Sequence, residues 1–471
     1  MDDDAESRAL MAGREAADGA RARSTEAAYV ETERALLGRL PEHKSVEGAS
    51  LEPIRLLCEL LGDPQQAAPV IHLTGTNGKT TTARMIDSLL VAFGLRTGRL
   101  TSPHLAEIRE RITLSGEPIS PERFVEIYSE VMPFVDLADQ RLGRPMSFFE
   151  VVTGLGFAAF ADAPVDVAVL EVGLGGTWDT TNVAAGKVAV VTPIAVDHTK
   201  YLGATPVEIA GEKAGIIKPG AIAVIAQQEL EVAEVLMRRA AEVGATVARE
   251  GLEFGVVDRE LAVGGQQLAL KGLTGTYDGI YLPLHGVHQA HNAACALAAV
   301  EAFLAGGVVE GEGLDADLVR EGFANVSSPG RLEVVRRSPT VILDAAHNPH
   351  GAAAAAAAMT EAFVFEPLIG VVGMMQDKDI EGVLEAFEPV MARIVCTQNS
   401  TQRAMPAAEL AELAIDVFGE DRVDIAARLD DALDLGVRLA DEGSTAMGSG
   451  GVLVTGSVIT AGEARVLFGG R

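Results

Sequence analysis

The chain has 471 residues, more than one ordinary hydrophobic core accommodates, so two domains are expected. It is 48% hydrophobic but only 4% aromatic, a balance that suits an α/β protein with well-buried parallel strands. A formal charge of −29 argues against a general nucleic-acid or membrane-surface binder, and any anionic ligand would need a locally basic pocket.

In chain order, Met1–Thr25 is polar and charged and lacks the apolar core of a signal peptide, so a flexible tail is expected. No later apolar run is long and uninterrupted enough to span a bilayer. Cys58, Cys295 and Cys396 are far apart and belong to no metal or disulfide motif, which fits a reducing cytoplasm. Pro69–Leu73 predicts a short buried strand, followed by a turn containing Gly75, Asn77, Gly78, Lys79, Thr80 and Thr81. A helix follows, with Met85, Ile86, Leu89, Leu90 and Phe93 on one face. This order makes a phosphate cradle. The glycines bend the backbone, loop N–H groups and the helix start face the anion, and Lys79 adds charge. Thr80 or Thr81 can offer a hydroxyl to magnesium. The strict P-loop has a glycine where this chain has Leu73.

Further strands are predicted at Val165–Leu170, Val188–Thr192, Ala221–Ala226, Thr340–Leu343, Pro367–Val372, Arg393–Cys396 and Val452–Thr455. Helical patterns alternate with most of them, as in wound parallel sheets, whereas Glu250–His285 predicts hairpins. Thr205-Pro-Val-Glu208 is a capping box that starts a helix, and Gly215 ends it with Lys213 in the last turn. Asn348 as N-cap and Pro349 behind it make the alanine run Ala352–Ala358 helical rather than low-complexity. Asn325–Arg331 breaks the helical pattern and divides the chain into a tail (1–25), a central domain (26–326) and a C-terminal domain (327–471).

Ligands of open parallel sheets gather beyond the carboxyl ends of the strands. Glu171, Asp197-His198, Asp344 with His347, and Gly456-Ser457 all occupy such positions, from both halves of the chain. Glu171 beside a glycine-rich loop suits magnesium, which prefers oxygen ligands. His198 is less natural for that ion, and a hydrogen-bonded loop histidine is the ordinary reading. Lys213 favours the helix dipole as an ammonium. As a carbamate it would carry oxygens able to hold a second cation.

These motifs, with Thr101-Ser-Pro-His-Leu105, Glu110-Arg-Ile112, Glu171–Asn182, Glu212–Lys218, His288–Asn292, Pro329–Arg331, Asp344–Pro349, Gly373–Asp379 and Gly456-Ser457, occur in the order found in one family. The chain resembles the folylpolyglutamate synthase/dihydrofolate synthase family of the Mur ligase superfamily. The resemblance implies an α/β P-loop ATP-binding domain with a mainly parallel sheet and a smaller Rossmann-like C-terminal domain. It implies ATP contacts from Gly75, Asn77, Gly78, Lys79, Thr80, Thr81, Asn292, Arg331 and Asp344, and magnesium, two ions, held by Ser102, Glu171 and His198. Lys213 falls on the family's carbamylated lysine (N6-carboxylysine), and Lys79, Lys213 and His347 are the implied catalytic residues. Ser147, Phe148, Phe149, Glu150 and Trp178 match pterin contacts, with a weaker match at Gly48–Ser50. His347 and Ser457 are assigned to the glutamate pocket, while Asn348 is read as the helix cap. The expected reaction joins L-glutamate to dihydropteroate, reduced folates or both at the expense of ATP, in a cytoplasmic monomer. The family usually has glycine where this chain has Thr80, which is closer to the peptidoglycan ligases. A Mur-type ligase for a cell-wall precursor and a non-ligating ATPase are therefore the competing readings.

Overall fold

Eight strands form the largest sheet: β1 (Val70–Thr74), β2 (Thr97–Leu100), β3 (Ile112–Leu114), β4 (Glu117–Pro118), β5 (Val167–Glu171), β6 (Gly186–Val191), β7 (Ile222–Ile225) and β8 (Thr246–Arg249). Their spatial order is β4-β3-β2-β5-β1-β6-β7-β8. The strands from β2 to β8 in that order run parallel, and β3 and β4 add an antiparallel edge. In this computed structural model, residues 24–39, 50–305, 313–443 and 449–469 are described. Every residue of β1, β2 and β5 is buried, as expected of strands covered by helices on both faces.

Strand β1 lies between β5 and β6, so the chain winds outward from it in both directions. Such a reversal opens a crevice at the carboxyl ends of the strands. The loop Gly75–Gly78 leaves β1 at that point and enters the helix Lys79–Ala92. This helix packs on the alanine-rich helix Val287–Ala305, and both belong to one buried cluster with Ile71 and Leu73.

Residues 255–282 form the expected hairpins, an antiparallel sheet of β9 (Gly255–Ala262), β10 (Gly265–Lys271) and β11 (Thr276–Leu282). A third sheet contains β12 (Glu333–Arg337), β13 (Thr340–Leu343), β14 (Leu368–Val372), β15 (Arg393–Cys396), β16 (Val423–Ile425) and β17 (Gly451–Thr455). Its order is β12-β13-β17-β14-β15-β16, parallel except for the β12–β13 hairpin. Two hydrophobic clusters, one holding Ile342 and Leu453 and the other Val341 and Val452, include alternating residues of its strands.

The capping box at Thr205 forms with Glu208, and Asn348 caps Pro349–Ala362 through the Gly351 N–H. The expected tail differs at its end: Ser24 and Thr25 already belong to a helix over 24–37, while 1–23 lie outside the described residues. Among the described residues no helix is long and apolar enough to cross a membrane. All three cysteines are buried free thiols.

Candidate active site

The loop after β1 needs its two glycines. Gly75 has φ +148°, and a Cβ there would stand 1.9 Å from Thr192 Oγ1. Gly78 has φ +89°, and a Cβ would stand 2.5 Å from Asn292 Oδ1. Side chains at both positions would therefore clash as well as strain the backbone. Asn292 is pinned by donating from Nδ2 to Gln289 Oε1 at 2.9 Å, so the helix Val287–Ala305 backs the loop.

Two lysine side chains converge on one backbone carbonyl. Lys79 Nζ donates to Gly75 O at 3.0 Å and to Thr76 O at 3.2 Å, and Lys213 Nζ donates to the same Gly75 O at 2.7 Å. Lys213 is 3% exposed. Burial, then the positive charge of Lys79, push its amine well below the usual lysine range, against the pull of Asp197, Asp179 and Glu212. Burial also lowers Lys79, while Glu171 and Asp197 favour its charged form. The turn carrying Lys213 is clamped to the glycine-rich loop after β5: Thr177 N donates to Glu212 O at 3.1 Å and Trp178 N to Glu212 Oε1 at 3.3 Å.

Glu171, the last residue of β5, is 1% exposed. Thr80 Oγ1 donates to its Oε1 at 2.7 Å and Ser102 N to its Oε2 at 3.3 Å. Burial raises this carboxyl, and Lys79 and the two hydrogen bonds oppose the shift. Of the two candidate hydroxyls, that of Thr80 meets Glu171, whereas that of Thr81 pairs with Ser328 Oγ at 3.0 Å. Gly75–Thr81, Ser102, Glu171, His198, Lys213, Arg331 and His347 line one pocket. An adjoining pocket of about 330 Å³ shares Asn77, Gly78, Thr81, Arg331 and His347 with it and adds Asn292 and Asp344. Burial raises the Asp344 carboxyl against the opposing charge of Arg331, and it accepts N–H bonds from Leu332 and Ala346 at 3.1 and 2.9 Å.

Contacts between the two parallel sheets centre on Asp197. Lys378 Nζ lies 2.7 Å from Asp197 Oδ1, Asn348 Nδ2 donates to Oδ2 at 3.1 Å, and His347 Nε2 stands 3.5 Å from Oδ2. Asn348 Nδ2 also donates to Asn77 Oδ1 at 3.0 Å. Asn348 is thus a helix cap and a bridge to the Gly75–Gly78 loop, a role its cap position in the sequence does not reveal. Lys378 was absent from the sequence-based site set. Its signal was the Asp377-Lys378-Asp379 run shortly beyond β14, at the carboxyl end of a parallel strand. His198 sits at φ +53° beside Asp197, with its N–H donating to Asp197 Oδ1 at 2.7 Å.

Other candidates lie off these two pockets. Ser147 and Glu150 form a reciprocal capping box on the helix Phe148–Asp162. Phe148 carries the Arg111 guanidinium 5.1 Å above its ring. Phe149 backs Gly173, where a Cβ would meet its ring at 2.6 Å. Trp178 packs against the cluster containing Ile209 and Ala210. Ser457 is 3% exposed and accepts from Ile459 N at 3.1 Å as the cap of Val458–Leu467. Of the weakly matched Gly48–Ser50, residues 48 and 49 lie outside the described residues.

A glycine loop with converging lysines on one parallel sheet, closed by polar side chains from a second α/β sheet, defines an ATP-dependent ligase of the Mur type. Residues 330–458 match the family described as Mur ligase, glutamate ligase domain. The chain is 50% identical over 463 residues to the dihydrofolate synthase/folylpolyglutamate synthase of Mycobacterium tuberculosis, covering 94% of each. It superposes with a TM-score of 0.89 on Mycobacterium tuberculosis folylpolyglutamate synthase complexed with ADP and AMPPCP, at 50% identity, covering 95% of this chain and 99% of that one. The Escherichia coli FolC in complex with DHPP and ADP matches at TM-score 0.79 and 31% identity, covering 94% and 97%. The chain belongs to the dihydrofolate synthase/folylpolyglutamate synthase family.

Proposed function

We propose that this protein joins L-glutamate to dihydropteroate, to reduced folates or to both. A pterin-linked carboxylate attacks the γ-phosphorus of ATP, forming an acyl phosphate and releasing ADP. The glutamate amine then attacks the acyl carbon, loses its proton, and inorganic phosphate leaves as the amide forms. Phosphoryl transfer depends mainly on positioning and charge neutralisation. The observation that carries this reading is the pair Lys79 and Lys213 converging on Gly75 O, in a pocket that both sheets line.

In this reading the Gly75–Gly78 loop and Lys79 hold the triphosphate, with Asn77, Thr80 and Thr81 beside them. Asn292, Arg331 and Asp344 complete the nucleotide site. The residues fit magnesium: Glu171 is a buried carboxylate with no ion pair among the described residues, the Thr80 hydroxyl donates to it, and Ser102 lines the same pocket. Two magnesium ions, held with Ser102, Glu171, His198 and a carbamate on Lys213, would neutralise the phosphate charge. His347 and Ser457 are assigned to glutamate, and Ser147–Glu150 with Trp178 to the pterin. Closure of the central domain (26–326) on the C-terminal one (327–471) would keep the acyl phosphate from water. We assign the protein to the cytoplasm as a monomer.

The test supplies ATP, magnesium and glutamate with dihydropteroate, a reduced folate or a UDP-muramoyl acceptor, and reads products by mass spectrometry. A gain of one glutamyl unit on a pterin acceptor is expected. Extension of the UDP-muramoyl acceptor alone, or ATP hydrolysis with no ligation, would overturn the reading.

A further inference from the structure

The helix over 24–37 is anchored by little apolar surface. Tyr29, Thr32 and Leu36 are its buried residues, spaced three and four apart on one narrow face, while Val30 and Leu37 stay exposed. Its polar contacts, and those of the residues just after it, reach two separate segments of the chain. Glu33 Oε1 accepts from the Ile108 N–H at 3.1 Å and from the Tyr29 hydroxyl at 3.3 Å. The same hydroxyl accepts from the Arg109 N–H at 3.4 Å. Two successive backbone amides thereby tie the short helical turn Ile108–Arg111 to this helix.

The second segment is held from Arg39, two residues past the helix. Its Nη1 donates to Met146 O at 2.9 Å, and its Nη2 stands 3.3 Å from Asp139 Oδ2. Asp139 Oδ1 accepts from the Met146 N–H at 2.6 Å. One ion pair thus satisfies both backbone polar groups of Met146, a residue buried from solvent. A planar guanidinium suits this task, because it serves a carbonyl and a carboxylate at once.

The two segments carry the two partners of one stack. Met146 immediately precedes the Ser147–Glu150 capping box and Phe148, while the turn Ile108–Arg111 ends in the guanidinium that lies 5.1 Å above the Phe148 ring. Arg111 is buried, and its Nε donates to His104 Nδ1 at 2.9 Å. Phe148 is half-buried. Neither Arg111 nor Phe148 lines the two pockets around Gly75–Thr81 and Asn292, so the stack can shift without moving their walls.

We propose that Glu33 and Arg39 are positioning residues for the pterin-linked acceptor, holding Arg111 and Phe148 in the register that receives its flat ring. The proposal rests on the ligase reading above, which assigns the pterin to Ser147–Glu150. Neither residue takes part in the chemical step. They act through the stack, since an acceptor seated on a displaced ring presents its carboxylate out of line.

The experiment measures steady-state ligation by full-length Arg39→Met, Glu33→Ala and Phe148→Ala, with whichever of dihydropteroate and a reduced folate the wild type extends. In the first two variants KM for the acceptor should rise about tenfold, the scale of one charge-assisted hydrogen bond, with kcat and KM for ATP unchanged. Arg39→Lys should recover part of the acceptor affinity, because it keeps the charge toward Asp139 but not the fork. A merely structural role would lower the melting temperature and kcat and leave both KM values alone, and that result would overturn the proposal. So would an unchanged acceptor KM, or an equal rise in KM for ATP. A raised acceptor KM in Phe148→Ala alone would sink the positioning role and leave the acceptor site standing. An unchanged acceptor KM in Phe148→Ala would remove the acceptor site and the proposal together.

Discussion

The Lys378 ammonium lies 2.7 Å from the Asp197 carboxylate, joining the segment after β14 to the segment after β6. The two side chains are 9% and 8% exposed, so this ion pair is shielded from water. Burial disfavours the Asp197 anion, but His347, His198 and Lys378 together hold it well below the usual carboxylate range. Asp197→Asn should therefore leave Lys378 without its counter-charge and cost about 3–5 kcal/mol of stability. Lys378→Met should do the same from the other side, and the double variant should recover part of the loss. Urea denaturation of the three variants measures this coupling. Additive losses would show that the pair does not act as a unit.

Lys79→Ala should leave the fold intact, because the lost hydrogen bonds go to loop carbonyls rather than to the core. Turnover should fall ~100-fold or more, the scale of one preorganised charge contact. Nucleotide affinity and thermal melting measured side by side check this. Wild-type turnover would remove the loop from the mechanism.

Lys213 should carry a carbamate in the active enzyme. Its buried amine is pushed toward the neutral form, which is the form that adds carbon dioxide, and Lys79 reaches the same carbonyl. Lys213→Ala should lose activity and regain part of it with added formate or acetate. Lys213→Arg keeps the positive charge and cannot be carbamylated. Full activity of this variant in carbon-dioxide-depleted buffer would refute the modification.

Acid should destabilise the fold partly through His72. The ring is fully buried, with Nε2 2.8 Å from Thr181 Oγ1, and burial followed by the charge of Lys218 lowers its pKa to about 3. The unfolded chain takes up this proton near pH 6.5, whereas the folded one does so only near 3. The contribution is therefore complete above pH 6.5 and is lost as pH falls toward 3, by about 1.4 kcal/mol per pH unit. His104 and His288, lowered to about 3 and about 4, act in the same direction. Denaturation midpoints between pH 7 and 4.5 should fall less steeply in His72→Gln than in wild type. Equal slopes would place the acid sensitivity elsewhere.

The glycine turn Gly75–Gly78 between strand and helix, the hairpins of 255–282 and the caps at Thr205 and Asn348 were legible in the sequence. Each depends on neighbours within a few residues: a glycine where φ is positive, a hydroxyl three positions before a carboxylate, alternating apolar side chains. The order of motifs along the chain also pointed to the family. Partner choice was not legible. Whether Thr80 or Thr81 meets Glu171 depends on β1 lying beside β5, a pairing of residues about a hundred positions apart. The Ser147–Glu150 pattern gives no sign that Phe149 would brace Gly173. Asp197 and Lys378 are 181 positions apart and meet because two separate sheets present their carboxyl ends to one cleft. The sequence determined local geometry, since backbone torsions and capping respond to adjacent residues. Only the tertiary structure decided which charges are paired in the cleft, because burial and electrostatic contact depend on distance in space.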